Sequence, residues 1–167
     1  MRNQQERLDI ASWIVGFTDG EGCFSVSFLR NTTSKSGWQI FPEFVVTQGA
    51  KSLPALKIFR TYFKCGKIYE NKRYDNHREH LYRYCVRSIS ELEQSIVPFF
   101  RTHSLKTNKQ KDFLLFARII MMMSKQKHLT DNGATQIAKL VEQMNRKKKS
   151  KYLKSSETTR HAPAKAG

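Results

Sequence analysis

The 167-residue sequence lacks most of the features that assign a function directly. Its three cysteines, Cys23, Cys65 and Cys85, are odd in number and widely spaced, which argues against a disulfide framework and against a zinc cluster. No apolar run reaches the roughly 18–20 residues of a membrane span, and no apolar segment typical of a secretory signal follows the N-terminal residues. We therefore expect no membrane partner and a reducing intracellular compartment, for which an organelle and a prokaryotic cytoplasm both fit.

Acidic residues are also few. Fourteen Asp and Glu stand against thirty Lys and Arg, which gives a net charge of +16 and a pI near 10.0. Such a surface favours a polyanionic partner. The basic residues are spread along the chain rather than gathered on one amphipathic helix, so nucleic acid is favoured over a membrane surface. The five histidines lack metal-ligand spacing, and no Ser-His-Asp set or phosphate-binding loop is present.

The hydrophobic periodicity predicts an α+β fold. Helical and alternating patterns follow one another in the order αββαββα, with additional helices towards the C-terminus. We expect helices over 9–19, from Ser52 to a cap at Gly66, from a cap at Ser90 to a bend or end at Pro98, over 109–125, and from Asn132 or Gly133 to Lys147. Strands are expected over 24–29, 38–48, 67–72 and 81–87. The strands would form one curved antiparallel sheet. One domain over 1–150 and a basic, mobile tail over 151–167 complete the prediction.

The first helix carries two stripes. A large apolar stripe is suited to the core of the domain and consists of Ile10, Trp13, Ile14 and Phe17. A second stripe of small residues, Ser12, Gly16 and Gly20, recurs at every fourth position. Glycine is unfavourable inside a helix by about 0.5–1 kcal/mol relative to alanine, so this second stripe indicates a close approach of another backbone.

Two carboxylates, Asp19 and Glu21, lie where this helix ends. A fixed anion is unfavourable at the C-terminus of a helix, whereas a cation is favoured there. Glu21 can bind a hard divalent cation such as Mg²⁺, which prefers oxygen ligands. Such an ion assists phosphodiester hydrolysis. The alternative is that Glu21 is an ordinary loop acid that follows a helix.

The outward face of the predicted sheet is a candidate DNA-binding surface. Phe24, Val26 and Phe28 form the inward set of the first strand, and the polar side chains alternate with the apolar ones. Hydroxyl, amide and guanidinium groups on a sheet can contact base edges in the major groove. The candidates are Ser25, Ser27, Leu29, Arg30, Gln39, Lys67, Tyr69, Asn71, Arg83, Cys85 and Arg87. An ordinary solvated face remains the alternative.

Three further residues are candidates for the reaction itself. Gln48 ends the second strand and can position a water molecule. Lys106 and Lys109 precede a long helix, and either can stabilise charge that develops on a phosphate. Each one alone is equally compatible with an exposed polar surface.

With these elements in place, the chain resembles the LAGLIDADG homing endonucleases. The nine residues 14–22 align with the motif that names the family, and the resemblance continues through 45–48, 98–100 and 106–113, covering about residues 8–125. The resemblance implies that Glu21 and the carbonyl of Gly20 bind a divalent metal and that Gln48 positions water. It also implies that Lys106 or Lys109 is the active-site lysine.

Because the sequence carries a single motif, the resemblance further implies a homodimer. The motif helices of the two subunits would pack through Ser12, Gly16, Asp19 and Gly20. The expected function is intron homing: a site-specific endonuclease that cuts double-stranded DNA at a long pseudo-palindromic site with Mg²⁺ or another divalent cation such as Mn²⁺. The alternatives are an RNA-binding splicing maturase on the same fold and a DNA-binding protein without catalysis.

Overall fold

A computed structural model describes residues 4–34, 37–71, 80–144 and 152–153. The helices and strands follow the predicted order. They are α1 (Gln4–Glu21), β1 (Gly22–Arg30), β2 (Trp38–Gly49), α2 (Leu53–Phe63), β3 (Lys67–Asn71), β4 (Leu81–Val86), α3 (Ile89–Glu91), a π-helical turn (Leu92–Ile96), α4 (Val97–Thr102), α5 (Lys109–Ser124) and α6 (Asp131–Glu142). No helix in the described ranges is long and apolar enough to cross a bilayer.

The four strands form one antiparallel sheet in the order β1-β2-β4-β3. This arrangement confirms the predicted α+β fold. One face of the sheet carries the core, in which the ring of Phe24 lies 5.0 Å from that of Phe44 and 5.4 Å from that of Phe100. The inward set is confirmed, because Phe24 and Val26 are buried and Phe28 packs against the core cluster. No helix among the described residues lies on the opposite face of the sheet, which is called the outer face below.

Helix α1 packs on the core through a face that overlaps the predicted stripe. Ile14 is fully buried, and Ile10 and Phe17 pack against the core cluster, as predicted. Trp13 departs from the prediction, because it is 37% exposed. Its indole lies at the rim of the core, with its ring centroid 4.8 Å from that of Phe17. Ala11, Val15 and Thr18 are buried in addition, so the apolar pattern identified the helix and most of its buried face but misplaced Trp13.

Three predicted helix boundaries need correction. Helix α2 ends at Phe63. Its C-cap residue, Lys64, adopts a left-handed conformation with φ 52°, and Gly66 lies beyond this cap. Gly66 is required for a close approach, because a Cβ atom there would lie 2.8 Å from the carbonyl oxygen of Cys85. Ser88, rather than Ser90, caps α3 by accepting a hydrogen bond from the backbone N–H of Glu91. Pro98 does not end the helix, because it lies in the first turn of α4, where a missing N–H is tolerated.

The boundary of the predicted tail is also corrected. Tyr152 and Leu153 fall in the segment predicted to be mobile, yet their exposed fractions are only 7% and 8%. The ring of Tyr152 lies 5.1 Å from that of Phe28 and 5.9 Å from that of Trp38. These two residues therefore belong to the core cluster. The rest of 151–167, and the predicted helical residues 145–147, lie outside the described residues.

Candidate active site and nucleic-acid interface

The C-terminal end of α1 brings the predicted catalytic residues to one end of the molecule. Glu21 is the last residue of α1 and is exposed, as is Gly20. Gly22 pairs with Val46 across the β1–β2 ladder, so the chain that precedes Gly22 lies beside the chain that follows Val46. Gln48 is therefore at the same end of the sheet as Glu21.

The turn from α1 into β1 is tight, which fixes the position of Glu21. A Cβ atom at Gly22 would lie 2.6 Å from Cγ2 and 2.9 Å from the carbonyl oxygen of Thr18. Only glycine allows the strand to leave the helix this closely. The last glycine of the motif, Gly22, therefore sets the direction in which Glu21 leaves the helix.

The Asp19 carboxylate binds a loop that is distant in the sequence. It accepts hydrogen bonds from the backbone N–H of Lys106 at 2.7 Å, the backbone N–H of Thr107 at 3.3 Å and the Thr107 hydroxyl at 2.7 Å. Asp19 thus connects the end of α1 to the segment that leads into α5. Its predicted place in a dimer interface stays a prediction. Thr107 was missed by the sequence analysis, since no local pattern relates residues 88 positions apart.

The two candidate lysines differ in what their side chains do. The Lys109 ammonium donates hydrogen bonds to the carbonyl oxygens of Thr18 at 2.8 Å and of Asp19 at 2.9 Å. These carbonyls belong to the last turns of α1, where a cation offsets the negative end of the helix dipole. The positive charge of Lys109 is therefore held next to Gly20 and Glu21. The side chain of Lys106 is exposed, and its described contact at this site is made by its backbone N–H.

We expect Asp19→Asn to loosen this connection in a pH-dependent way. Burial raises the pKa of Asp19, but the hydrogen bonds from Lys106 and Thr107 outweigh that effect and hold the pKa below its ordinary value of 3.8. A carboxyl with a lowered pKa stabilises the fold above its unfolded pKa and loses that contribution as the pH falls through its folded pKa. At pH 7 the variant should lose about 1 kcal/mol of unfolding free energy. Denaturant unfolding of both proteins should give a difference that shrinks below about pH 4; a constant difference would contradict this assignment.

The small-residue stripe of α1 is open to solvent. Ser12, Gly16 and Gly20 are all exposed, and a Cβ atom at Gly16 or Gly20 would meet nothing within 4 Å. Glycine is thus not required at either position by contacts within the described part of the chain. A face of this kind allows a second helix to approach closely.

The oxygen ligands at this end of α1 fit a hard divalent cation. The exposed Glu21 carboxylate supplies one anionic ligand, and the Gly20 carbonyl is its neighbour. Mg²⁺ is commonly held by one or two carboxylates, with water and substrate phosphates completing its coordination. Within the described residues no group of three or more His, Cys, Asp or Glu could hold a metal ion. One chain therefore offers an incomplete site, suited to an ion that is bound together with a phosphate.

The outer face carries most of the predicted DNA-binding residues. The ladders place Ser25 and Ser27 of β1 on the same face as Arg83 of β4 and Tyr69 of β3. The exposed members of the predicted set are Ser27, Leu29, Arg30, Gln39, Lys67, Tyr69, Asn71 and Arg87, and the half-buried members are Ser25 and Arg83. Their roles in binding stay predictions.

Two members of the predicted set are placed differently. Arg30 alternates with Leu29 and pairs with Trp38, and its guanidinium stacks 4.3 Å from the centre of that indole. Arg30 therefore lies at the strand end on the helix-bearing side. Cys85 has the register of the outer face but is only 3% exposed, and burial raises the pKa of its thiol to about 12. The prediction that Cys85 is an open contact group is wrong.

Comparison with known proteins assigns the family. The LAGLIDADG endonuclease family model matches residues 14–120. The probable intron-encoded endonuclease 2 of Neurospora crassa is 33% identical over 130 residues, which are 75% of this chain and 27% of that protein. The DNA endonuclease I-CeuI of Chlamydomonas moewusii is 28% identical over 91 residues, covering 54% of this chain and 40% of I-CeuI.

Solved structures share the fold. The homing endonuclease I-TnaI is 36% identical, with a TM-score of 0.78 over 89% of this chain and 96% of its own. The LAGLIDADG homing endonuclease I-SmaMI bound to cleaved DNA is 31% identical, with a TM-score of 0.80 over 89% of this chain and 48% of its own. The chain spans only about a quarter of the length of the first curated relatives, at 25–27% of each. By its sequence motif, its fold and these matches, the chain belongs to the LAGLIDADG endonuclease family.

Proposed function

We propose that the chain is a site-specific endonuclease that cuts double-stranded DNA at a long pseudo-palindromic site, as a homodimer and with Mg²⁺ or Mn²⁺. The observation that carries the proposal is the position of Glu21, an exposed carboxylate at the end of an open glycine stripe and at the edge of a sheet with a polar, basic outer face. The proposal is supported by I-SmaMI, a LAGLIDADG homing endonuclease whose structure was determined bound to cleaved DNA.

The residues near the end of α1 have different roles in the proposed reaction. Glu21 and the Gly20 carbonyl would hold the divalent ion, which would supply a Lewis acid and lower the pKa of a bound water. Gln48, at the adjacent strand end, orients the attacking water molecule through its side-chain amide. Lys109 keeps a positive charge beside the scissile phosphate, and Asp19 holds the loop from which that lysine extends.

The geometry of one chain supports the proposed homodimer. A single copy presents one Glu21 and one open stripe, whereas a double-strand break needs two reacting phosphates. Packing the stripes of two copies together would bring both α1 ends to a shared two-fold axis. Each outer face would then read one half-site of a DNA sequence with the same symmetry.

The direct test is the selection of cleaved molecules from a randomised double-stranded DNA library. We expect double-strand cuts at one pseudo-palindromic sequence in Mg²⁺ or Mn²⁺ and none in EDTA. Retention of a specific DNA without cutting in any divalent ion would demote the chain to a DNA-binding protein. Retention of structured RNA instead would favour the splicing maturase.

The two lysines should differ in the same assay. Replacing Lys109 by methionine removes a charge that is held at the site, so cleavage should fall by about 10²–10³-fold, the usual effect of losing one electrostatic stabiliser. Replacing Lys106 by methionine leaves its backbone contact with Asp19 intact and removes only an exposed, screened charge. We expect a loss of about tenfold or less. Single-turnover rates on the selected site measure both, and equal losses would contradict the distinction.

A further inference from the structure

A buried carboxylate lies on the outer face of the sheet, among residues predicted to contact DNA. Glu43 of β2 pairs with Ser25 of β1, which places it on this face, yet it is only 8% exposed. A negative charge is unfavourable on a surface that approaches phosphates, and burial adds a desolvation penalty. A carboxylate at this position is therefore unfavourable unless its contacts compensate for the cost.

The carboxylate is bound to two arginines, Arg83 of β4 and Arg87, which directly follows this strand. Arg87 donates hydrogen bonds from Nε at 3.3 Å and Nη2 at 3.1 Å to Oε1 of Glu43, and Nη2 of Arg83 lies 3.5 Å from the same oxygen. The side chains of Arg83 and Arg87 are 37% and 38% exposed, so each guanidinium has one part against Glu43 and another facing solvent. Coulombic attraction to Glu43 and the hydrogen bonds that Arg87 donates to this carboxylate outweigh burial and raise the pKa of Arg87.

Aromatic rings restrict Arg87 further. Its guanidinium carbon lies 5.3 Å from the ring centre of Phe41 and 5.1 Å from that of Tyr69. These rings lie on the strands on either side of β4, and each distance is within the range of a cation–π contact. With Glu43 on one edge and rings on neighbouring strands, the long side chain of Arg87 is held in one orientation.

The remaining edge of this guanidinium suits a base rather than a phosphate. Arginine carries five N–H groups in a rigid fork, and the Nε–Nη2 edge of Arg87 is used by Glu43. The end of the fork keeps one N–H of Nη1 and the second N–H of Nη2, which are parallel and match the O6 and N7 acceptors of guanine in the major groove. A freely rotating arginine would instead contact nearby phosphates, which carry no sequence information.

We propose that Glu43 is a positioning residue for sequence specificity: it fixes Arg87, supported by Arg83, to read a guanine in each half-site. The inference rests on the proposed function, since it concerns the same DNA-binding face. Glu43 acts through the arginines and does not itself contact the reacting atoms. A purely structural ion pair would change stability but not the base preference.

The test compares Glu43→Gln with Glu70→Gln. Glu70 pairs with Tyr82 on the helix-bearing side of β3, so its substitution removes the same charge from the same sheet without altering the outer face. For the wild type and both variants, cleavage is measured on every single-base-pair variant of the sequence selected by the wild type. In Glu43→Gln the preference for guanine should fall by about tenfold or more at one symmetric pair of positions, and elsewhere the profile should stay unchanged. Glu70→Gln should retain the wild-type profile.

Two further measurements keep the proposal falsifiable. Arg87→Lys keeps the charge but loses the planar fork, so it should relax the same pair of positions even if Glu43→Gln folds poorly. In Glu43→Gln, Arg83 and Arg87 are no longer held by a carboxylate and can contact phosphates. The binding of non-specific DNA by this variant should therefore depend more strongly on salt than that of the wild type. An unchanged base profile in both variants, or an equal loss at every position, would overturn the inference while leaving the endonuclease intact. A wild type that selects no DNA would overturn the proposed function and this inference with it.

Discussion

Glu21→Gln should abolish cleavage of the selected DNA while leaving binding intact. The substitution keeps the shape of the side chain and removes its charge, which is the property that a divalent cation requires of a ligand. A bound metal contributes several kcal/mol to phosphodiester hydrolysis, and each 1.36 kcal/mol corresponds to tenfold in rate. We therefore expect a loss of at least about 10³-fold in the single-turnover rate.

The fold should tolerate this change. Glu21 is exposed at the end of α1, next to the negative end of the helix dipole. An uncharged side chain there should leave the free energy of unfolding unchanged or raise it slightly. A loss of cleavage activity with an unaltered unfolding curve would therefore show that Glu21 acts in the cleavage reaction and not in folding. Binding of the selected duplex, measured in EDTA, should stay within about threefold of the wild type, because the phosphate contacts are made elsewhere.

Glu93→Gln is a matched control. Glu93 is exposed in the π-helical turn, within the layer of helices, and its substitution removes one negative charge far in sequence from the end of α1. Its cleavage rate should equal that of the wild type. Cleavage by Glu21→Gln at more than a tenth of the wild-type rate would contradict the metal-binding role of Glu21.

Gly16→Leu should convert the protein into a folded monomer that does not cut. Within one chain the new side chain meets no atom within 4 Å of its Cβ, and leucine is more favourable than glycine in a helix by about 0.5–1 kcal/mol. In a dimer packed through this stripe, the same side chain separates the two helices. Overpacking typically costs about 1–3 kcal/mol per site, and a two-fold dimer carries the change twice, so its Kd should rise by about 30-fold to 10⁴-fold.

Sedimentation or light scattering across a range of concentrations measures the association. Gln136→Leu is the control, because it adds leucine at an exposed position of α6, away from the stripe. That variant should remain dimeric and active. A Gly16→Leu protein that dimerises and cuts like the wild type would show that the stripe is not the interface. A wild type that is monomeric at all concentrations and still cuts would refute the homodimer.

Much of this protein follows from sequence alone. The order of helices and strands, the antiparallel sheet and the inward positions of Phe24 and Val26 are set by periodicity, because each element has to bury one side. The stripe of small residues at Gly16 and Gly20 was also predicted from sequence, because glycine destabilises the interior of a helix and its repetition on one face therefore needs another reason.

Other features are decided by tertiary structure. On α1, packing against the sheet buries Ala11 and Thr18 beside the predicted Ile14 and leaves Trp13 at the rim, so side-chain size alone does not decide which residues are buried. The cap of α2 at Lys64 shows the same point on a smaller scale. Gly66 does not cap α2. It allows β4 to pass close to the backbone, because a Cβ atom at this position would clash with that strand.

The connections within the candidate site are long-range. Asp19 and Thr107, Lys109 and Thr18, and Glu43 and Arg87 are separated by 88, 91 and 44 residues, respectively. The sequence supplied the chemical groups, because carboxylates, lysines and arginines in a basic chain restrict the possible chemistry. Which group binds which was decided by the strand register and by the path of the chain into α5, since hydrogen bonds and ion pairs form only between groups that the fold brings within a few ångströms.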